Sequence, residues 1–377
     1  MTPGNDRSTT SEERSSAPEN RSTTSEERSI NALLEEGIEK RLFTAAAAIV
    51  GGPGKTIVAE AVGTPTPDGE LSTTIDTPFD LASLTKPIVT TTICLRLLER
   101  GELTLTDTLD RQLPETSDTK LGDVPIRTLL THTSGLAPYR FSEEWTDRQD
   151  AIDELTAEPP FDRPIDDTFE YSCLNYVFLA TVLRRTTGST LPALAETEVF
   201  GPAGMETATV GPYESPPEPV AVTYDHEYRD RALENEIHDP IANVMRGESG
   251  NAGAFASARD VARFARTILR DADGDGTLLA APTVGTLPIR RSGTDAKAQG
   301  YGWRVATDLI PTPGWAGRTI GHTGYTGTSL WIAFDQDRFA VLLTNAVYED
   351  ATLYRFRQRF HGLAASLPTG RTENSRA

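Results

Sequence analysis

The sequence predicts an α+β fold in which one antiparallel sheet takes strands from both ends of the chain and a helical region is inserted between them. Two apolar segments near the start, 45–50 and 56–62, have the pattern of strands, and strand-like segments return after residue 300. Residues 101–295 carry mostly helical patterns and long loops. Because the two strand regions must share one core with the helices, we expect a single sheet with a helical insertion.

Polar segments that are poor in apolar residues mark the ends of the predicted domain. Residues 1–29 contain the run Arg-Ser-Thr-Thr-Ser-Glu-Glu-Arg-Ser twice, at 7–15 and 21–29. Such a segment cannot offset its ordering entropy by burial, so we predict a disordered tail. The other predicted units are a domain at 30–370, with a sheet region at about 30–82 and 296–370 and a helical region at about 83–295, and a polar tail at 371–377.

Periodic patterns predict the individual elements in chain order. A helix over 30–42 has an apolar face made of Ile30, Leu33, Leu34, Ile38 and Leu42. The sequence Gly-Gly-Pro-Gly at 51–54 predicts a hairpin between the first two strands. Later helices are predicted at 84–100, 125–130, 176–187, 261–269 (after a capping box at 257–260) and 351–367, and later strands at 302–306, 318–321, 328–334 and 339–344.

The charge balance excludes some functions and predicts an environment. The chain has 36 lysine and arginine residues against 55 acidic residues, a formal charge of -19, and five of the basic residues are lysines. A surface this acidic disfavours binding to nucleic acid or to anionic membranes. It is typical of proteins from a high-salt cytoplasm, where salt screens the self-repulsion. An ordinary acidic soluble protein is the alternative.

Several sequence signals are absent. No basic-then-apolar export signal begins the chain and no apolar run reaches about 18 residues, so we expect a cytoplasmic protein without a membrane span. Cys94 and Cys173 have no metal-ligand or disulfide spacing, and the five histidines contain no His-x-x-x-His pair. We therefore expect no metal, no cofactor and a small-molecule substrate as the partner; the oligomeric state is left open.

The segment Asp80-Leu81-Ala82-Ser83-Leu84-Thr85-Lys86 carries the strongest chemical signal. Residues three apart share a helical face, so the amine of Lys86 can reach the hydroxyl of Ser83 and take its proton. Ser117 and Lys120 have the same spacing, but they lie in a polar segment that we interpret as a solvated loop. The alternative is that Ser83 is a helix cap and Lys86 a surface charge.

Three further segments, taken in order with Ser83, carry a family resemblance. They are Leu-Leu-Thr-His-Thr-Ser-Gly-Leu at 129–136, Tyr-Ser-Cys at 171–173 and His-Thr-Gly at 322–324. From about residue 30 to 365 the chain resembles the serine β-lactamase and penicillin-binding-protein superfamily, and most of all its class C β-lactamase-related branch of esterases and peptidases. The resemblance implies a β-lactamase/transpeptidase-like catalytic domain with its site between the sheet and the helical region.

The resemblance also implies roles for individual residues. Ser83 would be the acylated nucleophile, Lys86 its base, and Tyr171 the second member of the base system. The main-chain N–H groups of Ser83 and Tyr325 would form the oxyanion hole. A buried lysine beside a phenol would also lose its proton more readily. The substrate-binding positions would be Cys173, His322, Thr323 and Gly324.

Two of these positions depart from the family pattern. The second motif usually ends in asparagine, where this chain has Cys173, and the third usually begins with lysine, where this chain has His322. A thiol is a weak hydrogen-bonding group, and an imidazole is largely neutral above about pH 7 and begins to charge near 6.5. Both changes weaken recognition of a substrate carboxylate. We interpret His132 as a structural loop residue, and His238 and Asp239 as polar residues that line or brace the cleft.

The sequence therefore predicts a serine hydrolase that forms a covalent acyl-enzyme at Ser83 and acts on ester, amide or peptide-like small substrates. One alternative is a β-lactamase or a peptidase for D-amino-acid peptides. Another is a covalent binder or sensor on the same fold that is acylated but does not turn over.

Overall fold

The computed structural model describes residues 25–295, 297–305, 315, 317–347 and 351–368. The predicted C-terminal tail and most of the N-terminal tail lie outside these residues. Strands in the described part are β1 Ala45–Gly51, β2 Thr56–Gly63, β3 Pro78–Asp80, β4 Thr209–Val210, β5 Thr223–Asp225, β6 Arg231–Leu233, β7 Ala254–Ser257, β8 Arg304–Val305, β9 Thr319–Thr323, β10 Ser329–Ala333 and β11 Arg338–Thr344.

The α-helices of the same residues surround the sheets. They are α1 Ser25–Glu39, α2 Thr92–Glu99, α3 Leu109–Gln112, α4 Ile126–Leu130, α5 Arg148–Ala157, α6 Leu174–Thr187, α7 Leu191–Ala195, α8 Gly201–Ala203, α9 Pro240–Val244, α10 Ala258–Asp273, α11 Ala281–Thr286 and α12 Ala351–Ser366. In the described ranges no helix combines the length and apolar character needed to cross a membrane.

The main sheet joins the two ends of the chain, as predicted. Its strand order is β2-β1-β11-β10-β9-β8 and the pairs are antiparallel, with Ala48 opposite Leu342 where the first strand meets the last. Helices from the middle of the sequence form the inserted region. This arrangement confirms the predicted α+β fold, with one antiparallel sheet built from both ends of the chain and a helical insertion.

Both faces of the main sheet are buried, because successive side chains of a strand point to opposite sides. In β1, Ala47 and Ile49 pack into the core shared with the helical region. Ala48 and Val50 face the opposite way, into the cluster with Leu34 and the other apolar residues of α1 and α12. The terminal helices therefore cover one face, and the other face supports the site.

Two helices begin differently from the prediction. Helix α1 starts at Ser25, so residues 25–29 of the predicted tail are helical. The segment after Ser83 is not a uniform helix: a 3₁₀ turn at Ala82–Leu84 leads into a π-helical stretch, Lys86–Thr91, before α2 begins. Pro87 explains this start, because its ring lacks an N–H and clashes with the carbonyl four residues earlier, which widens the first turn.

Other helix ends match the sequence signals. Gly188 closes α6 in the left-handed region with φ 72°. Ser257 begins α10, and its hydroxyl oxygen accepts a hydrogen bond from the Asp260 N–H at 3.2 Å. The sequence predicts these two helices at 176–187 and 261–269, and in the structure both begin earlier, at Leu174 and Ala258.

Candidate active site

The turn that presents Ser83 is held in a strained conformation. Ala82 has φ +47°, a region that non-glycine residues rarely adopt. Its N–H donates to Oδ1 of Asp80 at 2.8 Å, and the second oxygen of Asp80 accepts from the N–H of His238 at 2.8 Å. The buried carboxylate thus fixes the turn, and Ser83 lies half-buried at the edge of a cleft.

Lys86 points from the π-helical stretch to Ser83. Its side chain is fully buried, and Nζ lies 3.0 Å from Oγ of Ser83 and 2.8 Å from the main-chain oxygen of Asn251. The rings of Tyr171 and Tyr176 lie 5.1 and 5.7 Å from Nζ. The structure therefore brings together the serine, the lysine and the tyrosine that the sequence predicted.

The charge on Lys86 differs from the expectation. Burial by itself lowers the pKa of Lys86, but the acidic groups of Cys173, Tyr171 and Asp239 act against burial and hold that pKa above its ordinary value. This direction is opposite to the predicted easier loss of the lysine proton. In its charged form Lys86 donates a hydrogen bond to the serine oxygen at 3.0 Å.

The second serine–lysine pair lies on the surface, as predicted. Ser117 and Lys120 are exposed, the hydroxyl of Ser117 donates to the oxygen of Pro114 at 2.7 Å, and Nζ of Lys120 donates to the oxygen of Arg163 at 3.0 Å. Neither side chain is directed at the other. Sequence context, rather than spacing, separates the two motifs.

His132 positions the segment that carries Tyr171. Its Nδ1 accepts a hydrogen bond from the Ser172 N–H at 3.1 Å, and its ring lies 4.6 Å from the ring of Tyr171. Burial, together with the charge of Lys86, lowers the pKa of His132 to about 3. A neutral imidazole fits this acceptor role, which confirms the structural interpretation of His132.

His322 does not face the cleft. It is 1% exposed, its Nδ1 lies 2.8 Å from the oxygen of Thr323, and its ring is 6.0 Å from the ring of Tyr171. Burial, then the charges of Arg304 and Lys86, holds the pKa of His322 well below its usual value. This direction is opposite to the predicted charging near pH 6.5. The side chain is buried beside Tyr171, and the substrate contact at His322 stays a prediction.

The turn after β9 brings Tyr325 to Ser83. A Cβ added to Gly324 would lie 2.6 Å from the oxygen of Leu81, so only glycine allows the two turns to approach this closely. The hydroxyl of Thr328 donates to the same oxygen at 3.0 Å. Tyr325 itself is 41% exposed at the mouth of the cleft.

The cleft is an open cavity of about 1610 Å³ between the sheet and the helical region. His238 and Asp239 line it, as predicted, and the ring of His238 lies 5.4 Å from the ring of Tyr325. The wall of the cleft combines aromatic and acidic residues with basic ones such as Arg290, Arg291 and Arg304. Its other residues near Ser83 include Tyr139, Tyr171, Cys173, Glu227, Tyr228 and Thr323.

Three residues near the site were not singled out from the sequence. Asp80 lies inside the motif, and its buried hydrogen bonds give it a role that spacing alone does not indicate. Tyr176 packs on Lys86 from the helix that follows Tyr171. Asn251 is 165 residues from Lys86 in the sequence, so a local sequence pattern cannot indicate their contact.

An antiparallel sheet packed on a helical region, with a buried lysine hydrogen-bonded to a serine at the cleft between them, defines a serine hydrolase of the Ser-x-x-Lys type. The Beta-lactamase family model matches residues 30–363. The chain therefore belongs to the Beta-lactamase family.

Relatives of known sequence differ in the activities their names state. The chain is 29% identical over 365 residues to Esterase EstB of Burkholderia gladioli, which covers 85% of this chain and 90% of that protein. It is 27% identical over 288 residues to a putative D-alanyl-D-alanine carboxypeptidase of Salmonella agona, covering 68% and 66%. A penicillin-binding protein of Bacillus subtilis is 28% identical over 260 residues, 65% of this chain, and the match spans only 55% of that relative.

Solved structures share the fold. EstCE1, described as a hydrolase with promiscuous acyltransferase activity, aligns with a TM-score of 0.71 and 22% identity over 90% of this chain and 98% of its own. A β-lactamase/D-alanine carboxypeptidase from Pseudomonas syringae aligns with a TM-score of 0.74 and 18% identity, over 92% of this chain and 100% of its own. At these identities the likeness establishes the architecture.

Proposed function

We propose that the protein hydrolyses small neutral esters or amides through a covalent acyl-enzyme at Ser83. The observation that carries this proposal is the 3.0 Å contact between Nζ of a fully buried lysine, Lys86, and the hydroxyl oxygen of Ser83 at the edge of an open cleft. A helix cap or a surface charge would need neither the burial nor the contact.

The proposed reaction begins with proton movement away from Ser83. Lys86 can accept the proton of Ser83 only as a neutral amine, so its ammonium form must first give up a proton. Tyr171 packs against Nζ and lines the cleft, so it is the group that can relay this proton toward the leaving group. Ser83 then attacks the acyl carbon, and water later attacks the acyl-enzyme with the proton transfers reversed.

The oxyanion that forms during attack needs fixed donors. The main-chain N–H groups of Ser83 and Tyr325 belong to two turns that Gly324 allows to pack together. We assign them the oxyanion hole, because preorganised donors at that place stabilise the tetrahedral intermediate.

The residues at positions 173, 239 and 322 favour neutral over anionic substrates. Cys173 has little hydrogen-bonding capacity, His322 is neutral and buried, and Asp239 lines the cleft with a carboxylate. None of these three residues neutralises a substrate carboxylate, so any positive charge for an anionic substrate would come from basic residues of the cleft such as Arg290, Arg291 and Arg304. The similarity to Esterase EstB, across 90% of that protein, supports the same choice.

Labelling with a fluorophosphonate probe tests the proposal. We expect the probe to label Ser83, with no label in Ser83→Ala and unchanged labelling in the matched control Ser117→Ala. Turnover of a p-nitrophenyl ester should fall at least about 10³-fold in Ser83→Ala. Label on another serine would refute the assignment, and a stable acyl adduct without turnover would identify a covalent binder. Faster hydrolysis of nitrocefin or D-aminoacyl substrates would replace the esterase proposal with one of its alternatives.

A further inference from the structure

A buried arginine of the C-terminal helix holds the turn that carries Tyr325. Arg357 lies on α12 and is 7% exposed. Its Nη2 donates to the main-chain oxygen of Gly324 at 2.6 Å, and its Nε donates to the oxygen of Gly327 at 3.2 Å. The N–H of Gly327 also donates to the Gly324 oxygen at 3.2 Å, so residues 324–327 form one closed turn. The guanidinium group therefore contacts both ends of this turn.

The same segment is also fastened to the serine motif. The hydroxyl of Thr326 donates to the oxygen of Asp80 at 2.7 Å, and the hydroxyl of Thr328 donates to the oxygen of Leu81 at 3.0 Å. These two bonds tie side chains of the segment to the motif. The contact from Arg357 differs, because it is made to the peptide group that joins Gly324 to Tyr325.

We propose that Arg357 is a positioning residue for the oxyanion hole. By binding the Gly324 oxygen, it fixes and polarises the peptide group whose other end is the N–H of Tyr325. This inference rests on the proposed function, in which that N–H stabilises the tetrahedral intermediate at Ser83.

Two properties of a peptide group connect its oxygen to its N–H. The group is planar and trans, so an anchored oxygen also sets the direction of the N–H on the opposite side. A charged donor at the oxygen draws electron density away from the N–H, because hydrogen bonds in a chain polarise one another and ionised donors form the strong ones. The N–H of Tyr325 is thereby a stronger donor to a developing oxyanion, and no rearrangement is needed during the reaction.

The charge of this arginine acts in a buried place, where electrostatic effects are larger than in water. A guanidinium group keeps its proton in proteins, so this charge is permanent. Its influence extends to His361, one helical turn further along α12. Burial, and then the charge of Arg357, lowers the pKa of His361 to about 3. The same charge acts on the peptide group that the guanidinium contacts directly.

Arg338 is a second buried arginine that binds main-chain oxygens, and it provides the matched control. Its Nη1 donates to the oxygen of Ala364 at 3.0 Å and to that of Ala365, and its Nη2 donates to that of Leu367. None of these four residues is among those that line the cleft. Substitution of Arg338 therefore reports the cost of losing a buried arginine beside α12 without a change at the oxyanion hole.

Kinetics of Arg357 variants in the full chain test this role. We expect Arg357→Met to lower kcat for p-nitrophenyl acetate by about 10-fold or more and to change KM by less than about threefold, because the lost interaction belongs to the transition state. Arg357→Lys keeps the charge and N–H donors and should recover part of kcat. Arg338→Met should lower the free energy of unfolding as Arg357→Met does, but it should keep the parent kcat.

Binding of an oxyanion-forming inhibitor gives a second measurement. An aryl trifluoromethyl ketone forms an adduct with the serine that carries an oxyanion, whereas the matched alcohol cannot form this adduct. In Arg357→Met the affinity for the ketone should fall by about the same factor as kcat, and the affinity for the alcohol should stay at the parent value.

The outcomes are distinguishable. Parent kcat in Arg357→Met, or an equal loss of kcat in Arg338→Met, would overturn the positioning role and leave Arg357 as a link between α12 and the sheet. A loss confined to a succinyl ester would also overturn it, because Arg357 would then be a contact of the substrate anion. If the methionine variant unfolds, Arg357→Gln keeps N–H donors without the charge and takes its place. Failure of the fluorophosphonate probe to label Ser83 in the parent protein would instead refute the proposed function.

Discussion

The carboxylate of Asp80 accepts a hydrogen bond of 2.8 Å from the main-chain N–H of His238, across 158 residues of sequence. Because the other oxygen of Asp80 holds the strained Ala82, one buried group connects the nucleophile turn to the opposite wall of the cleft. The ring of His238 in turn packs against Tyr325, which the proposal places at the oxyanion hole. The side chain of Asp80 therefore helps to set the relative position of the two turns, together with the hydrogen bond from Thr328 to the oxygen of Leu81.

Asp80→Asn should damage both stability and the site. The amide oxygen of asparagine can accept from only one of the two main-chain N–H groups. The amide nitrogen is a donor and faces the second N–H group, which therefore loses its hydrogen-bond partner in a buried place. We expect a loss of about 1–3 kcal/mol in the free energy of unfolding, measured by urea denaturation. Labelling of Ser83 should slow as well. Asp118→Asn in an exposed loop is the matched control, and equal behaviour of the two variants would contradict the role of Asp80.

Mild acid should destabilise the fold through its buried histidines. Burial lowers the pKa of His132 and His361 to about 3 and holds the pKa of His322 well below its usual value. The unfolded chain therefore binds more protons than the folded one between about pH 6.5 and 3, and stability present above pH 6.5 is lost as the pH falls. Each group contributes about 1.4 kcal/mol per pH unit.

This loss of stability in mild acid is checked by measuring the free energy of unfolding at several pH values between 7 and 5. Burial raises the pKa of Asp80, so this group changes the pH dependence of stability in the opposite direction. Each histidine variant is therefore compared with the parent protein. His361→Gln keeps a partner for the hydroxyl of Ser329 and should reduce the slope by one proton. His226→Gln, at an exposed position, should leave it unchanged. A slope independent of His361 would show that this histidine titrates normally.

Asp239→Asn should relax discrimination against anionic substrates. Its carboxylate lines the cleft and also accepts from the N–H of Ala242 at 2.8 Å at the start of α9, a position where asparagine is equally suitable. We expect the rate on a succinyl ester relative to an acetyl ester to rise roughly threefold to tenfold. Glu234→Gln, on an exposed residue, is the charge-matched control.

The same rate ratio tests the role of His322. Because this histidine stays neutral, the relative rate on the anionic ester should not rise as the pH falls toward 6.5. A rise in the parent protein that disappears in His322→Gln would contradict the buried, neutral state of this side chain.

Salt should stabilise the protein, since we propose that its acidic composition is an adaptation to high salt. With a formal charge of -19, the acidic groups of the folded chain repel one another in dilute buffer, and screening by salt relieves this repulsion. We expect Tm to rise steadily from dilute buffer to molar potassium chloride. A Tm that stays constant or falls as salt is added would identify an ordinary acidic protein without adaptation to high salt.

Local patterns predicted the sheet, most helices and the contact of Ser83 with Lys86, because strand alternation, caps and three-residue spacing act over short distances. The same patterns could not predict the direction of the pKa of Lys86, since that depends on Cys173, Tyr171 and Asp239, which come from other parts of the chain. They also could not show that His322 is buried beside Tyr171. A motif position specifies where a residue lies on a strand and leaves its packing partners open.

The pairing of β1 with β11 has a consequence for biosynthesis. The first strand and its hairpin leave the ribosome long before β11, and the central ladder of the sheet, such as Ala48 opposite Leu342, forms only after the chain between them has been made. Contacts this distant in sequence slow folding, because a long loop must close before they form. Until β11 is made, the nascent hairpin has an apolar strand edge without a pairing partner. We therefore expect a chain that terminates before β11 to aggregate rather than to form a smaller folded domain.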